Sequence, residues 1–536
     1  MNGQSMRLSA LINPAQWGII NPFNDLKREG NGHMKAAPAP QPLSTFGQCL
    51  KQLLAKRKLS ASALSRMMEQ KSRNSIFRIL DDTSGPAAQT AFYDSLIASD
   101  CLSLTPEEKE ALSRALEVSH VGAAGYMSNQ AMHRLLGDVD LKNQPDEPFD
   151  IVRSSDGSRT TFEESMRRLA RENRSVRFVM TGCCYRSIFK KIADAFEPEA
   201  GCKVSILHYM YTGGDDIIRF VSAIQPVFYS PSYEGYCIQE NLFNTEREQI
   251  YRANTIIAHC VGRKGGKSSY LVSLIDPRRM LVVDPCNENY VALLEQMMRE
   301  DQPRMHRLKA AFALNYTPGD YLAYTEAFRK LESGRAIYDI KLDVPMNYIH
   351  PDLLLSSVRK GFPQQGFGEG DELQELIGKF YDIHFRRYEN FMTKRRATHT
   401  IFSREAMMSF AKTGVQSDHF FAMAPYEKQE RIQILEHLRQ QHEENPYFNL
   451  YFFKPEYHPP RTEICLYEGK GTMLTKADTD FNLSNSHAET LVTQSEFCQK
   501  YKEFYMKDLL VSKVLSAEET TAVFGELIEA AKGSEE

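Results

Sequence analysis

The spacing of the apolar residues changes near Val176, and this change limits the folds open to the chain. From Phe46 onward, apolar residues recur with the 3.6-residue period of amphipathic helices. The run Val176–Thr181 is instead β-rich, and the helical segment "YRSIFKKIADAF" and a second strand-like run, "CKVSILHYM", follow it. A strand, a helix and a strand in succession predict a parallel pair with a crossover helix. The sequence therefore predicts a multidomain chain: an all-α N-terminal domain, then an α/β (α+β) region.

The length of the chain, 536 residues, exceeds what one ordinary core supports. We expect five segments, with the two α/β portions as candidates for related lobes. They are a disordered tail (1–43), a small helical domain (44–120), a helical linker (121–175), an α/β sensor-like domain (176–390), and a second α/β lobe with C-terminal helices (391–536).

The composition favours a cytoplasmic protein. No apolar run reaches the roughly eighteen residues of a membrane helix, and the N-terminus, with Met34 as an alternative start, lacks the apolar core of a secretory signal. The ten cysteines form no CxxC pair, so we expect reduced, buried thiols rather than a zinc or redox centre. We expect no cofactor, no metal and no membrane partner.

Positive charge is concentrated in one short segment. The chain carries a net charge of −4, yet Thr45–Leu80 contains eight basic residues and one acid, Glu69. A compact basic module on an acidic body favours a polyanion as the partner of that module. An ordinary solvated helical surface is the alternative.

Three short helices are predicted within the basic segment. The first carries an apolar stripe of Phe46, Leu50, Leu53 and Leu54. Ser60 is an N-cap for the second, which we expect to bury Leu64, Met67 and Met68. The third spans Arg73 to Asp81, with Ile76, Ile79 and Leu80 on its inner face. Two further helices follow, the last beginning at Thr105 as N-cap with Pro106 in its first position.

Three helices with a tight turn before the third form a helix-turn-helix, in which the third helix enters the DNA major groove. Here the third helix opens with Lys71, Ser72, Arg73, Asn74 and Ser75. Arginine donates two hydrogen bonds to guanine and asparagine pairs bidentately with adenine. Arg78 lies one turn after Asn74 and is expected on the same face.

The pieces "LLAKRKLS", "ALSRMM" and "SRNSIFRI" give this region its resemblance to the lambda-repressor-like, or Xre-type, helix-turn-helix domain of bacterial transcription regulators. The resemblance implies that Arg73, Asn74 and Arg78 read bases and that Ser72 caps the helix and contacts phosphate. The sequence departs from the pattern in three ways. The turn glycine is absent, Ala61 replaces a phosphate-binding glutamine, and Leu54 and Leu80 replace a charged pair.

Together these features predict a transcriptional regulator that is not an enzyme. Lys56, Arg57, Lys58 and Lys71 are the predicted phosphate contacts. We expect a homodimer on double-stranded DNA, because one recognition helix reads few base pairs. The acidic body is expected to sense an unknown small-molecule or protein effector, to dimerise, or both. The alternative is a protein-binding scaffold whose helical head contacts protein.

The Gly-rich segment "GRKGGKSSY" is predicted to be the tip of a hairpin rather than a phosphate loop. Val261 stands where that pattern needs its first glycine, and strand-like runs lie on both sides.

The two α/β portions also resemble the two-lobed phospholipase D fold. That chemistry needs His-x-Lys, which occurs here as His33-Met34-Lys35, in the tail. A degenerate, catalytically silent relative is therefore an alternative for the body.

A cysteine-dependent hydrolase with an N-terminal targeting module is a further alternative. It would use Cys183 or Cys184, at a predicted helix start, with His208 or His259. Small residues packed at a strand–helix turn are the structural interpretation of the same pair. Asp215, Asp216 and His487 lack partners at a diagnostic spacing and are assigned to solvated loops.

Overall fold

The computed structural model of this chain describes most of its length. The described residues are 43–68, 73–136, 152–153, 159–182, 185–196, 201–211, 216–228, 230, 232–238, 242–243, 245–252, 254–276, 279–283, 288–311, 318–333, 336–342, 344–364, 370–392, 396–416, 423–457, 462–476 and 489–534.

The chain divides into two compact units, Met1–His120 and Val121–Glu536. The helices that begin in the first unit are α1 (Phe46–Lys56), α2 (Ala61–Met67), α3 (Arg73–Leu80), α4 (Pro86–Ser99) and α5 (Pro106–Leu136). Helix α5 is broken at Gly122, where φ is 77° and ψ is 164°. Only glycine adopts such a backbone conformation without strain.

Side-chain caps set where the helices of the first unit begin. Thr45 and Gln48 form a capping box at α1. The Ser60 hydroxyl accepts from Ala63 N at 3.1 Å at the start of α2. Thr105 and Glu108 exchange the equivalent pair of hydrogen bonds at α5, 3.3 and 3.2 Å long. The predicted caps at Ser60 and Thr105 are thus confirmed, and each satisfies a backbone donor that the helix leaves open.

The predicted apolar stripe of α1 and the predicted inner face of α3 are both buried, together with Leu64 and Met68 of the second helix. The prediction for Met67 is wrong, since its side chain is 43% exposed. Leu64 and Met68 lie four residues apart and occupy the core face of this short helix. Met67 lies about 100° around the helix from Met68 and points away from that face.

A nine-stranded mixed sheet opens the second unit. Its strand order is β2-β1-β8-β7-β6-β3-β4-β5-β9. The strands are β1 (Val152–Arg153), β2 (Arg159–Thr160), β3 (Asn173–Thr181), β4 (Lys203–Tyr211), β5 (Tyr233–Ile238), β6 (Thr255–Gly262), β7 (Lys267–Asp276), β8 (Arg279–Val283) and β9 (His306–Arg307). The predicted strand–helix–strand is confirmed by the parallel pairing of β3 with β4. The predicted hairpin is confirmed by the antiparallel pairing of β6 with β7.

A seven-stranded mixed sheet follows, in the order β10-β16-β15-β14-β11-β12-β13. Its strands are β10 (Lys309–Ala311), β11 (Ile337–Lys341), β12 (Thr398–Phe402), β13 (Phe448–Phe452), β14 (Thr462–Tyr467), β15 (Gly471–Lys476) and β16 (Glu489–Val492). This sheet takes strands from both sides of residue 391, where the sequence predicted a boundary between lobes.

Helices cover both sheets of the second unit. They are α6 (Phe162–Glu172), α7 (Arg186–Ala195), α8 (Asp216–Phe228), α9 (Thr245–Arg252), α10 (Glu288–Asp301), α11 (Pro318–Leu331), α12 (Pro351–Gln364), α13 (Gly370–Met392), α14 (Arg404–Thr413), α15 (Lys428–Glu444), α16 (Ser495–Phe504) and α17 (Ala517–Gly533). Short 3-10 turns occupy Gln302–Arg304 and Met346–Tyr348, and a π-helical segment, Tyr505–Lys513, follows α16.

The two sheets share one apolar core. A single cluster joins Phe178 of the nine-stranded sheet to Ile340 and Ile464 of the seven-stranded sheet. A second cluster lies on the opposite face of the seven-stranded sheet and includes Ile337 and Phe380. Alternate residues of β11 pack into the two clusters, because successive side chains of a strand point to opposite faces of the sheet. The chain is thus a multidomain protein of mixed helices and sheets.

Candidate functional sites

Helix α3 presents an exposed polar face opposite its buried apolar face. Ile76, Ile79 and Leu80 are at most 6% exposed, whereas Arg73, Asn74, Ser75 and Arg78 are exposed. No hydrogen bond or ion pair within the described residues holds the side chains of Arg73, Asn74 or Arg78. These three side chains are therefore available to an external partner.

An exposed aromatic ring lies in the middle of this face, and sequence reasoning missed it. Phe77 is 40% exposed, and the guanidinium of Arg73 lies 5.4 Å from the centre of its ring. The spacing of Arg73, Asn74, Phe77 and Arg78 places all four along one side of the helix. An aromatic residue outside the apolar stripe of a surface helix was the signal available in the sequence.

Close packing of α1 fixes the position of α3. A Cβ atom on Gly47 would lie 2.6 Å from the carbonyl oxygen of Ile79 and closer still to that of Leu80. Asp82, just after α3, accepts a hydrogen bond from Gly47 N at 2.9 Å. Its second carboxylate oxygen accepts one from the Thr45 hydroxyl. Helix α3 is thus fixed at its C-terminal end against the start of α1.

The predicted phosphate contacts are not equivalent in the structure. Lys58 is exposed, and Lys56 is 73% exposed while it pairs with Glu108 at 3.0 Å. Arg57 is held inside the unit, because its guanidinium contacts Glu108 at 2.5 Å and donates to the carbonyl of Leu102. Arg57 therefore has a structural role in joining α1 to the start of α5. The predicted contacts Lys71 and Ser72 lie outside the described residues.

A second candidate site is a cleft beside the central strand β11. Two ion pairs line it. Arg387 of α13 donates through Nε to Glu332 Oε2 at 2.8 Å, and Lys341 Nζ contacts Glu463 Oε2 at 2.8 Å.

Asp339 of β11 also lines the cleft and is 3% exposed. Its Oδ2 accepts a long, 3.4 Å hydrogen bond from the Tyr348 hydroxyl, and its Oδ1 has no hydrogen-bond partner among the described residues. Burial raises the pKa of Asp339 to about 6, and the charge of Lys341 opposes this shift. A carboxylate between Tyr338 and Ile340, in the middle of the strand "IYDIK", was a signal that sequence reasoning did not use.

The residues proposed for a cysteine hydrolase are only partly described. Cys183, Cys184, Asp215 and His487 lie outside the described residues, and so does His33 of the tail. His259 is held by Glu295, 2.7 Å from its Nε2, and by the Ser269 hydroxyl, 2.9 Å from its Nδ1.

His208 is fully buried on β4, with its ring between the rings of Phe189 and Phe220. Its Nε2 lies 3.0 Å from the Gly182 carbonyl and donates to it, while its Nδ1 lies 3.2 Å from the Tyr233 hydroxyl and accepts from it. Burial lowers the pKa of His208 from 6.5 to about 4. The ring is therefore neutral at pH 7 and packed as part of the core.

Acid is expected to destabilise the second unit through His208. The unfolded chain binds a proton at this residue below about pH 6.5 and the folded chain only below about pH 4, so stability falls with pH across that window. Asp339, with its raised pKa, shifts stability in the opposite direction.

A His208→Gln variant separates the two contributions. Between pH 7 and about pH 5.5 the wild type should lose about 1 kcal/mol more stability in urea unfolding than this variant. Equal losses would contradict a neutral His208.

Comparisons with known proteins give no family for the chain. No protein-family model matches it, and no curated protein matches it. Among solved structures, a phosphatidylserine synthase from Haemophilus influenzae Rd KW20 is similar at 12% identity and a TM-score of 0.22, over 76% of this chain and 97% of the synthase chain.

The described residues offer no candidate for two other kinds of site. They contain no cluster of three or more His, Cys, Asp or Glu side chains suited to a metal ion. None of the helices in this part of the chain has both the length and the apolar character that crossing a bilayer requires.

Proposed function

We propose that the chain is a DNA-binding transcriptional regulator whose α3 reads duplex DNA as the third helix of a lambda-repressor-like helix-turn-helix. One observation carries the proposal. The inner face of α3 is buried in the core of the first unit, while the outer face exposes Arg73, Asn74 and Arg78, whose side chains form no hydrogen bond or ion pair within the described residues. A rigidly held helix with exposed hydrogen-bonding side chains is what reading base edges requires.

Each exposed side chain of α3 has a defined partner in the major groove. Arg73 and Arg78 suit guanine, which offers two acceptors, and Asn74 suits adenine, which offers a donor and an acceptor. Phe77 adds an apolar surface that suits the methyl group of thymine. We therefore assign sequence reading to these four residues.

Lysines of the same basic segment complete the proposed interface. Lys56 is the last residue of α1 and Lys58 lies two residues after it; both are exposed. Lys71 lies two residues before Arg73 in the sequence. Such residues hold the helix in register on the phosphates without reading sequence. We propose a homodimer on a palindromic site, because two α3 helices one helical turn of DNA apart, about 34 Å, would double the number of bases read.

Salt dependence tests the proposal against a protein-binding scaffold. Binding of the full chain to a mixed-sequence duplex, measured by fluorescence anisotropy, should weaken steeply as salt rises, because phosphate contacts release counterions. Replacing Lys58 with glutamine should reduce the slope of log K against log salt by about 1. The control is Lys379→Gln, which removes an exposed lysine of α13 that pairs with Glu375, and it should leave the slope unchanged. Absence of binding at low salt would contradict DNA binding.

A further inference from the structure

The cleft beside β11 contains one carboxylate that the protein leaves unmatched. Glu332 accepts hydrogen bonds from Arg387 through both of its carboxylate oxygens. Glu463 likewise uses one oxygen for Lys341 and the other for Leu342 N, at 2.9 Å. The two ion pairs are therefore satisfied within the chain.

Asp339 lacks such a partner. Its Oδ1 is buried with no hydrogen bond among the described residues, and Lys341, whose positive charge acts on it, is already bound to Glu463. Its Oδ2 accepts long hydrogen bonds from the Tyr348 hydroxyl at 3.4 Å and from the Cys465 thiol at 4.0 Å. A buried carboxylate oxygen without a donor, such as Oδ1, is costly, because burial removes water from the charged group. A ligand that donates a hydrogen bond and carries a positive charge would offset this cost.

The remaining walls of the cleft suit the carbon skeleton of such a ligand. Phe328, Phe391 and Met346 contribute apolar surface to the lining. Apolar walls beside the unmatched carboxylate of Asp339 favour a small molecule with an aliphatic chain and a terminal positive charge.

We propose that the cleft binds a small aliphatic amine, whose ammonium group donates to Oδ1 of Asp339 while its carbon chain lies against Phe328 and Phe391. The ammonium supplies the donor and the charge that Asp339 lacks. The site lies entirely within the second unit, so amine binding and DNA binding can succeed or fail separately.

Four small probes of equal chain length test the proposal by isothermal titration calorimetry on the full chain. The cationic probes are n-butylamine and 1,4-diaminobutane, the neutral probe is 1-butanol and the anionic probe is butyrate. We expect saturable binding of the amines and none of the other two. Equal binding of amine and alcohol, or no binding of either amine, would overturn the proposal even if no variant folds.

The Asp339→Asn variant tests the role of the carboxylate. It keeps the size of the side chain and removes its charge, so amine affinity should fall about tenfold to a hundredfold, as for the loss of a charged hydrogen bond. The matched control is Asp352→Asn, which changes an exposed aspartate bonded to the Tyr381 hydroxyl at 3.0 Å, and it should leave amine affinity unchanged. Unchanged affinity in Asp339→Asn would overturn the assignment of this residue.

Discussion

Replacement of Gly47 by alanine is expected to destabilise the first unit by about 3 kcal/mol, the cost of forcing extra atoms into a packed interface. The added methyl group would meet the backbone carbonyl oxygens of Ile79 and Leu80. Backbone atoms cannot rotate away as a side chain can, so α1 and α3 must separate. Alanine is otherwise favoured over glycine in a helix by about 1 kcal/mol, so the loss is a net effect.

Hydrogen exchange of the peptides that cover α1 and α3 measures this loss within the full chain. Protection should fall in Gly47→Ala, and DNA affinity should fall with it, because α3 no longer has a fixed position. Gly85→Ala is the matched control. Gly85 has an ordinary φ of −70° and no atom within 4 Å of an added Cβ, so its effect should stay under about 1 kcal/mol. Equal protection in the two variants would contradict the close packing of α1 on α3.

Removal of one partner of the Glu332–Arg387 pair is expected to destabilise the second unit by about 3–5 kcal/mol. Both side chains are at most 7% exposed. In Glu332→Ala the guanidinium of Arg387 stays buried without the carboxylate that balances its charge. This unpaired buried charge is what destabilises the folded state. The double variant Glu332→Ala/Arg387→Met removes both charges and should recover part of the loss.

Urea unfolding followed by circular dichroism measures these changes. An exposed pair provides the control: Glu375 and Lys379 are 67% and 58% exposed, and Glu375→Gln should leave the free energy of unfolding almost unchanged. A Glu332→Ala loss as small as that of the control would contradict the buried pair. A double variant less stable than Glu332→Ala would show that packing, rather than the unpaired charge, explains the loss.

The sequence predicted local structure well where neighbouring residues determine it. The caps at Ser60 and Thr105, the helix period of α1 and α3, and the hairpin of β6 and β7 depend on residues close together in the chain. The prediction that Met67 is buried failed because a helix of two turns has too few residues for its periodicity to identify the buried face. Which helix face touches the core depends on tertiary packing.

The features missed in the sequence depend on residues far apart in the chain. Arg57 is basic and near α3, but only the packing of α5 brings Glu108 to it. The cleft of Asp339 combines residues from β11, α13 and β14, whose proximity follows from strand order. Sequence spacing carries no information about such contacts until the topology is known.

Selection of bound fragments from random duplex DNA by the full chain tests the central claim, that the exposed face of α3 reads bases. The account predicts a palindromic sequence whose enrichment is lost in Arg73→Ala and in Asn74→Ala, each of which removes about 1–3 kcal/mol of discrimination. The enrichment should persist in Arg114→Ala, which removes an exposed arginine of α5 that pairs with Glu110 at 2.8 Å. If the wild type enriches no sequence, or if the α3 variants enrich the same sequence equally well, α3 does not read DNA.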